Sequence, residues 1–179
     1  FVVAHTSANP DVLRTALIRG AFDYQGQKCS AASRAFVPKS VWQRMGDDFL
    51  GATGELSYGD VTDLSNYGGA VIDARAFAKI VKAIERAKCG PSVTVAAGGE
   101  YDDSEGYFIR PTVLLSDDPT DEAFRDEYFG PILAVHVFPD DKYDEILDVV
   151  DHGSKYALTG SVIADDRAAV LKTSERLRN

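Results

Sequence analysis

The alternation of apolar and polar positions changes period repeatedly along this chain. Short continuous apolar runs, FVVA at the start and then RAFV, VTVAA, YFIRPTVLL, ILAVHVF and GSVIA, read as buried strands. Between them apolar residues recur at helical spacing. Asn9 and Pro10 make an N-cap and first-turn pair ahead of a helix over residues 11–24, and a second helix is expected near residues 40–50. From Asp73, the residues Phe77, Ile80, Val81 and Ile84 share one helical face, and Gly90 with Pro91 should end that helix. KYDEILDVVDH and DRAAVLKTSERLR supply two more helices. Residues 51–69 contain five glycines and two aspartates and form the longest irregular segment, without the look of an interdomain linker.

Strands alternating with helices of this length imply an α/β fold, a mainly parallel sheet flanked by helices on both faces. No internal repeat or low-complexity tract interrupts it. The ends look cut, because FVVAH begins as a strand with no polar lead and the last helical pattern runs up to Asn179. The 179 residues are therefore expected to be a piece of a longer protein.

Charge narrows the partners. A formal net charge of −9 argues against general attraction to nucleic acid or to an anionic membrane surface. No apolar run approaches the length that spans a bilayer, and the first residues lack the basic region and cleavage site of a secretory signal. The expected location is cytoplasmic, or the mitochondrial matrix in a eukaryote. In such a compartment the two cysteines, Cys29 and Cys89, read as reduced thiols.

Cys29 follows Lys28 in a loop that contains Gly26 and leads into a strand. A neighbouring cation favours the thiolate, and glycine permits close approach by a ligand, so Cys29 is a candidate nucleophile. Taken locally, a small buried thiol explains the same residue as well. A Cys-His pairing with His5, His136 or His152 also stays open on sequence alone, although His5 and His136 sit in strand-like runs. No Cys-x-x-Cys or His-x-x-x-His spacing is present, so no metal is expected.

FDYQGQKCSAASRAFVP resembles the nucleophile segment of the aldehyde dehydrogenase superfamily, with Gly-Gln-x-Cys followed by Ser-Arg and an apolar strand. DEYFGPILAV looks like its Glu-x-Phe-Gly-Pro segment, and KYALTGSVIADD is similar to its Tyr-Gly-Leu-Thr stretch, with Ala157 in place of the glycine. QKCSAASRAFVP, AVIDARAFAKI, GGEYDDSEGYFIRPTV and FPDDKYDEIL resemble most the 1-pyrroline-5-carboxylate dehydrogenase branch of that superfamily.

The resemblance implies a catalytic Cys29 that attacks an aldehyde, with its own backbone N–H as one oxyanion donor. It implies NAD as cofactor, with Glu127 accepting from the nicotinamide ribose hydroxyls and Phe129 packing beside that ribose, and Ser30 binding the substrate's carboxylate. Read without the family pattern, Glu127 belongs to a solvated acidic run, Phe129 to the core and Ser30 to a helix end, while Gly130 and Pro131 shape a turn. The resemblance further implies that residues 1–179 are a partial catalytic domain truncated at both ends. The general base, the cofactor-binding domain, the oxyanion asparagine and the oligomerisation segment of a homo-oligomeric parent would lie outside it. Another aldehyde dehydrogenase with a different small-molecule aldehyde, or a non-catalytic module of the same fold, stays open.

Overall fold

The computed structural model describes residues 1–177, so the final two positions of the last expected helix, Arg178 and Asn179, lie outside the described residues. The chain runs β1 (Val2–Ala4), α1 (Pro10–Phe22), β2 (Arg34–Pro38), α2 (Lys39–Glu55), α3 (Ala74–Cys89), β3 (Val93–Ala97), β4 (Tyr101–Asp102), β5 (Phe108–Ile109), β6 (Thr112–Ser116), α4 (Glu122–Arg125), β7 (Ile132–Phe138), α5 (Tyr143–His152), β8 (Ser161–Ile163) and α6 (Arg167–Arg176). The main sheet has the order β3-β6-β7-β2-β1-β8, and β4 pairs with β5 in a separate hairpin. Within the main sheet only β3 runs antiparallel to its neighbour. The mixed α/β architecture with a mainly parallel central sheet is thus the one the alternating pattern predicts.

Both faces of the sheet's central strands, β6, β7, β2 and β1, are dry, with successive residues of a strand pointing to opposite sides. Val3, Phe36, Leu114, Ala134 and Phe138 pack on one face against Ile80 and Ile84 of α3 and Ile146 and Leu147 of α5. Val2, Ala35, Val37, Leu133 and Val135 face the other way, onto Leu13 and Leu17 of α1 and Val41, Met45 and Phe49 of α2. Phe49 is fully buried, and truncating such a side chain to alanine costs about 3–5 kcal/mol.

Three local expectations need correction. Helix α2 continues past Leu50 to Glu55, through Gly51 and Gly54, because the buried stripe Val41, Met45, Phe49 extends to Thr53. The Thr53 hydroxyl donates to the Phe49 carbonyl at 2.8 Å, and packing of this stripe offsets the helix penalty of two glycines. YFIRPTVLL is two strands, not one. Pro111 has no N–H to give a ladder, so the segment breaks there, with β5 in the hairpin and β6 in the main sheet. Lastly, α1 ends at Phe22, and residues 23–26 turn in another sense altogether.

Candidate active site

Residues Tyr24, Gln25 and Gly26 follow α1 with φ of 58°, 57° and 63°, a left-handed run in which only the last position is glycine. Each non-glycine residue there costs roughly 1–2 kcal/mol, so the surroundings must hold the run in place. They do so from the irregular segment after α2. The Tyr67 hydroxyl donates to Asp23 Oδ1 at 2.5 Å, the Tyr58 hydroxyl donates to the Phe22 carbonyl at 3.1 Å, and the Ile72 N–H donates to Gln27 Oε1 at 3.0 Å. Burial, then the bond to Asp23, raises the Tyr67 pKa far above the ordinary phenol value, which keeps the hydroxyl proton on the donor. The glycine-rich segment is therefore a clamp on the loop that delivers Cys29.

Cys29 and Ser30 occupy the two central positions of a turn closed by the Ala31 N–H on the Lys28 carbonyl at 3.0 Å. Both cysteines are free thiols and both are exposed, which removes the buried-thiol explanation of Cys29. The thiol faces a cavity of about 570 Å³ whose walls include Phe1, Cys29, Glu127, Phe129, Tyr156 and Leu158. Ser30 is exposed on the same turn but is absent from that lining. Cys29, Glu127 and Phe129 thus share one cavity, and Ser30 stands beside it.

The opposite wall is built as tightly as the Cys29 loop. Phe129 has φ 58° and is 41% exposed, so it is not a core residue. Its N–H donates to Glu127 Oε1 at 3.1 Å, and Lys79 Nζ donates to the Glu127 carbonyl at 2.6 Å. Glu127 is half-buried, unlike a residue of a solvated acidic face. Upstream, Arg86 of α3 donates to both Asp121 oxygens, at 2.7 and 3.2 Å, and lies 3.2 Å from Glu122 Oε1. Tyr128 donates to the same Glu122 oxygen at 3.1 Å. Burial, reinforced by the Glu122 charge, pushes the Tyr128 phenol up to about 12. Gly130 packs so closely on Ile80 that a Cβ would lie 2.3 Å from its Cδ1, which fits the reading of Gly130 as a shaping residue.

A larger cavity, about 780 Å³, lies against the same ring, lined by Gln27, Tyr67, Ile72, Lys79, Tyr128 and Phe129 among others. Cys29 does not line it and borders only the smaller cavity of the two. Phe129 lines both and divides them.

All the walls of the Cys29 cavity are segments about to enter a parallel strand. Phe1 precedes β1, Cys29 precedes β2, Glu127 and Phe129 precede β7, and residues 155–159 precede β8. The site therefore sits at the amino ends of the strands, whereas open α/β sheets ordinarily use the carboxyl ends. Helices α1 and α5 arrive there by their carbonyl ends, which favour positive charge.

The histidines lie elsewhere. His5 Nδ1 is 2.9 Å from Ser7 Oγ, the buried His136 has Nδ1 3.0 Å from the Ser116 carbonyl oxygen, and His152 is exposed; none lines the Cys29 cavity, so a Cys-His pair has no support. Among the described residues no group of three His, Cys, Asp or Glu side chains is placed to hold a metal ion, and no helix is long and apolar enough to cross a membrane.

The profile of the aldehyde dehydrogenase family matches residues 1–179, and the chain belongs to that family. The mitochondrial delta-1-pyrroline-5-carboxylate dehydrogenase of Mus musculus is 43% identical over 180 residues, covering 100% of this chain and 32% of the relative. Among solved structures, the delta-pyrroline-5-carboxylate dehydrogenase of Mycobacterium tuberculosis bound with NAD is 73% identical with a TM-score of 0.93, covering 99% of this chain and 32% of that one. The same enzyme bound with NAD and cobalamin gives 75% identity and a TM-score of 0.95, with coverage of 99% and 33%. The chain spans about a third of the length of these relatives.

Proposed function

We propose that this chain is the catalytic-domain portion of an NAD-dependent dehydrogenase that oxidises L-glutamate γ-semialdehyde, the open form of 1-pyrroline-5-carboxylate, to L-glutamate in the breakdown of proline. The observation that carries the reading is the convergence of an exposed Cys29 with Glu127 and Phe129 on one cavity. Membership of the family and the names of the relatives support the choice of substrate.

The chemistry follows from the groups present. Cys29 Sγ, as thiolate, forms a bond to the aldehyde carbon and gives a tetrahedral hemithioacetal whose oxygen carries the negative charge. The Cys29 N–H is the proposed donor to that oxygen, since the turn around it is closed by the Ala31 N–H instead. NAD, when bound, supplies the acceptor for the hydride that the carbon loses. The resulting thioester is cleaved by water, which gives the carboxylate and returns the thiol.

The Glu127 wall fits that cofactor. One carboxylate oxygen is occupied by the Phe129 N–H, which leaves the other to accept from a ribose hydroxyl. The exposed Phe129 ring offers a flat apolar face beside it. Ser30, exposed next to Cys29 at the centre of the turn, is the proposed donor to the substrate's distal carboxylate. The whole protein is proposed to be a homo-oligomer in the cytoplasm, or in the mitochondrial matrix in a eukaryote.

The test is NADH production by the full-length protein with glutamate γ-semialdehyde beside shorter and longer semialdehydes. Preference for the five-carbon substrate by tenfold or more in kcat/KM is expected. Equal turnover of all would reduce the reading to a general aldehyde dehydrogenase, and no turnover of any would leave a non-catalytic module.

A further inference from the structure

Arg34 opens β2, is only 4% exposed, and makes no ion pair within 4 Å among the described residues. It sits on the same face as Phe36, beneath the apolar cluster that α3 and α5 cover, where an unsatisfied charge would be costly. Its guanidinium spends its donors on two carbonyls far apart in sequence. Nη1 donates to the Phe124 carbonyl at 3.1 Å and Nη2 to the Tyr156 carbonyl at 3.3 Å. Its Cζ stands 5.8 Å from the centre of the Phe1 ring. Burial pulls the guanidinium pKa down from its ordinary value while the nearby Glu127 charge opposes that shift.

The two carbonyls belong to opposite walls of the Cys29 cavity. Phe124 leads directly into the segment that carries Glu127 and Phe129, and Tyr156 is itself part of the lining. We propose that Arg34 is a positioning residue: by holding the Phe124 and Tyr156 carbonyls on one planar guanidinium, it fixes the separation of the Glu127–Phe129 wall from the Tyr156 wall. The Cys29 turn, closed by its own hydrogen bond, does not depend on it. A planar fork can span two carbonyls at once, whereas the compact ammonium of lysine reaches one.

This inference rests on the proposed dehydrogenase activity for its kinetic readout, so its test carries one readout that does not. In the full-length protein, Arg34→Lys and Arg34→Met are compared with the wild type for kcat, for KM of NAD and semialdehyde, and for the rate of Cys29 alkylation by iodoacetamide. Tenfold or greater increases in both KM values are expected in Arg34→Met, smaller ones in Arg34→Lys, and alkylation within twofold of the wild type in each. Partial recovery of Arg34→Met by methylguanidinium supports the clasp. Kinetic constants within twofold of the wild type, or losses in alkylation matching those in turnover, overturn it. Should Arg34→Met fail to fold, Arg34→Lys alone decides by the same criteria. If the wild type oxidises no semialdehyde, the functional reading fails separately, and amide hydrogen exchange decides the Arg34 question. Faster exchange in both residues 124–130 and 155–159 of Arg34→Met, or in at least one of these segments of Arg34→Lys, with residues 24–33 unchanged, supports the clasp; wild-type exchange in both segments overturns it.

Discussion

Gly26 and Gly130 meet backbone to backbone: a Cβ on Gly26 would come within 2.3 Å of the Gly130 carbonyl oxygen and 2.8 Å of the Ala21 carbonyl oxygen. This contact joins the loop that delivers Cys29 to the segment that delivers Glu127 and Phe129. Gly26→Ala adds a left-handed alanine, at about 1–2 kcal/mol, to an overpacked contact, at about 1–3 kcal/mol. A stability loss of about 2–5 kcal/mol and more than tenfold lower turnover are expected in the full-length protein, read by denaturant titration and NADH production. Wild-type values for both would show that the loops adjust independently.

The two cysteines separate chemistry from exposure. Both thiols are accessible, yet only Cys29 lines the cavity, while Cys89 ends α3. Cys29→Ala should abolish oxidation with NAD binding nearly intact, and Cys89→Ala should change turnover by less than twofold. Steady-state kinetics with a calorimetric NAD titration make the comparison, and equal losses would deprive Cys29 of its assigned role.

Glu127→Gln keeps the shape of the side chain and its acceptor for the Phe129 N–H while weakening the second acceptor. Productive NAD positioning should suffer, with a several-fold to hundredfold fall in hydride transfer and little change in melting temperature. Rapid-mixing measurement of NADH formation checks this. Unchanged hydride transfer in a variant that melts early would make Glu127 structural.

Asp121 gives the fold a pH dependence. Burial acts to raise its pKa, but the Arg86 bonds, the Ala123 N–H and the Ser92 hydroxyl together hold it below the ordinary carboxylate value. A depressed folded-state pKa contributes stability that is fully present above the unfolded value of about 3.9 and is lost as pH falls through the folded one. Asp121→Asn should therefore be less stable than the wild type at neutral pH, and the difference should shrink steadily below about pH 4. Urea titrations across that range measure it, and a constant difference at every pH would exclude the charge as the cause.

Gly51 and Gly54 are exposed inside α2, and a Cβ at either would meet nothing within 4 Å. Replacing each with alanine should stabilise the protein by about 0.5–1 kcal/mol, through helix propensity alone. Calorimetric melting temperatures test it, and a fall would mean that the helix end must stay loose.

These outcomes also mark what the sequence makes visible. Runs such as FVVA and ILAVHVF declare strands because burial on both faces of β1 and β7 leaves little that is polar in them, and Asn9-Pro10 announces α1 by its own capping chemistry. The Cys29 and Glu127 segments stand out through their motifs. Nothing local gives Tyr24 and Gln25 a left-handed backbone, since neither residue type prefers it; the conformation is imposed by Tyr58, Tyr67 and Ile72 from a segment that reads as plain irregular chain. The pairs of tyrosine and glycine at 58–59 and 67–68 are the one signal that could have drawn attention there. Arg34 belongs to the Ser-Arg of the Cys29 motif, but its bridging contacts are equally silent, because its partners are main-chain carbonyls that any residue types could supply.

The row of strands behind the cavity acts as a graduated scale. Neighbouring strands stand about 4.8 Å apart, and the order β7-β2-β1-β8 assigns each wall its own graduation. Glu127 and Phe129 enter one interval from the strand of Cys29, and residues 155–159 enter two intervals away on the other side. A molecule bridging the thiol and the far wall is thus measured against about 10 Å, and one on the Glu127 side against about half that. Hydrogen-bonded ladders resist sliding, so substitutions in the lining can change what the cavity prefers while the scale itself stays put.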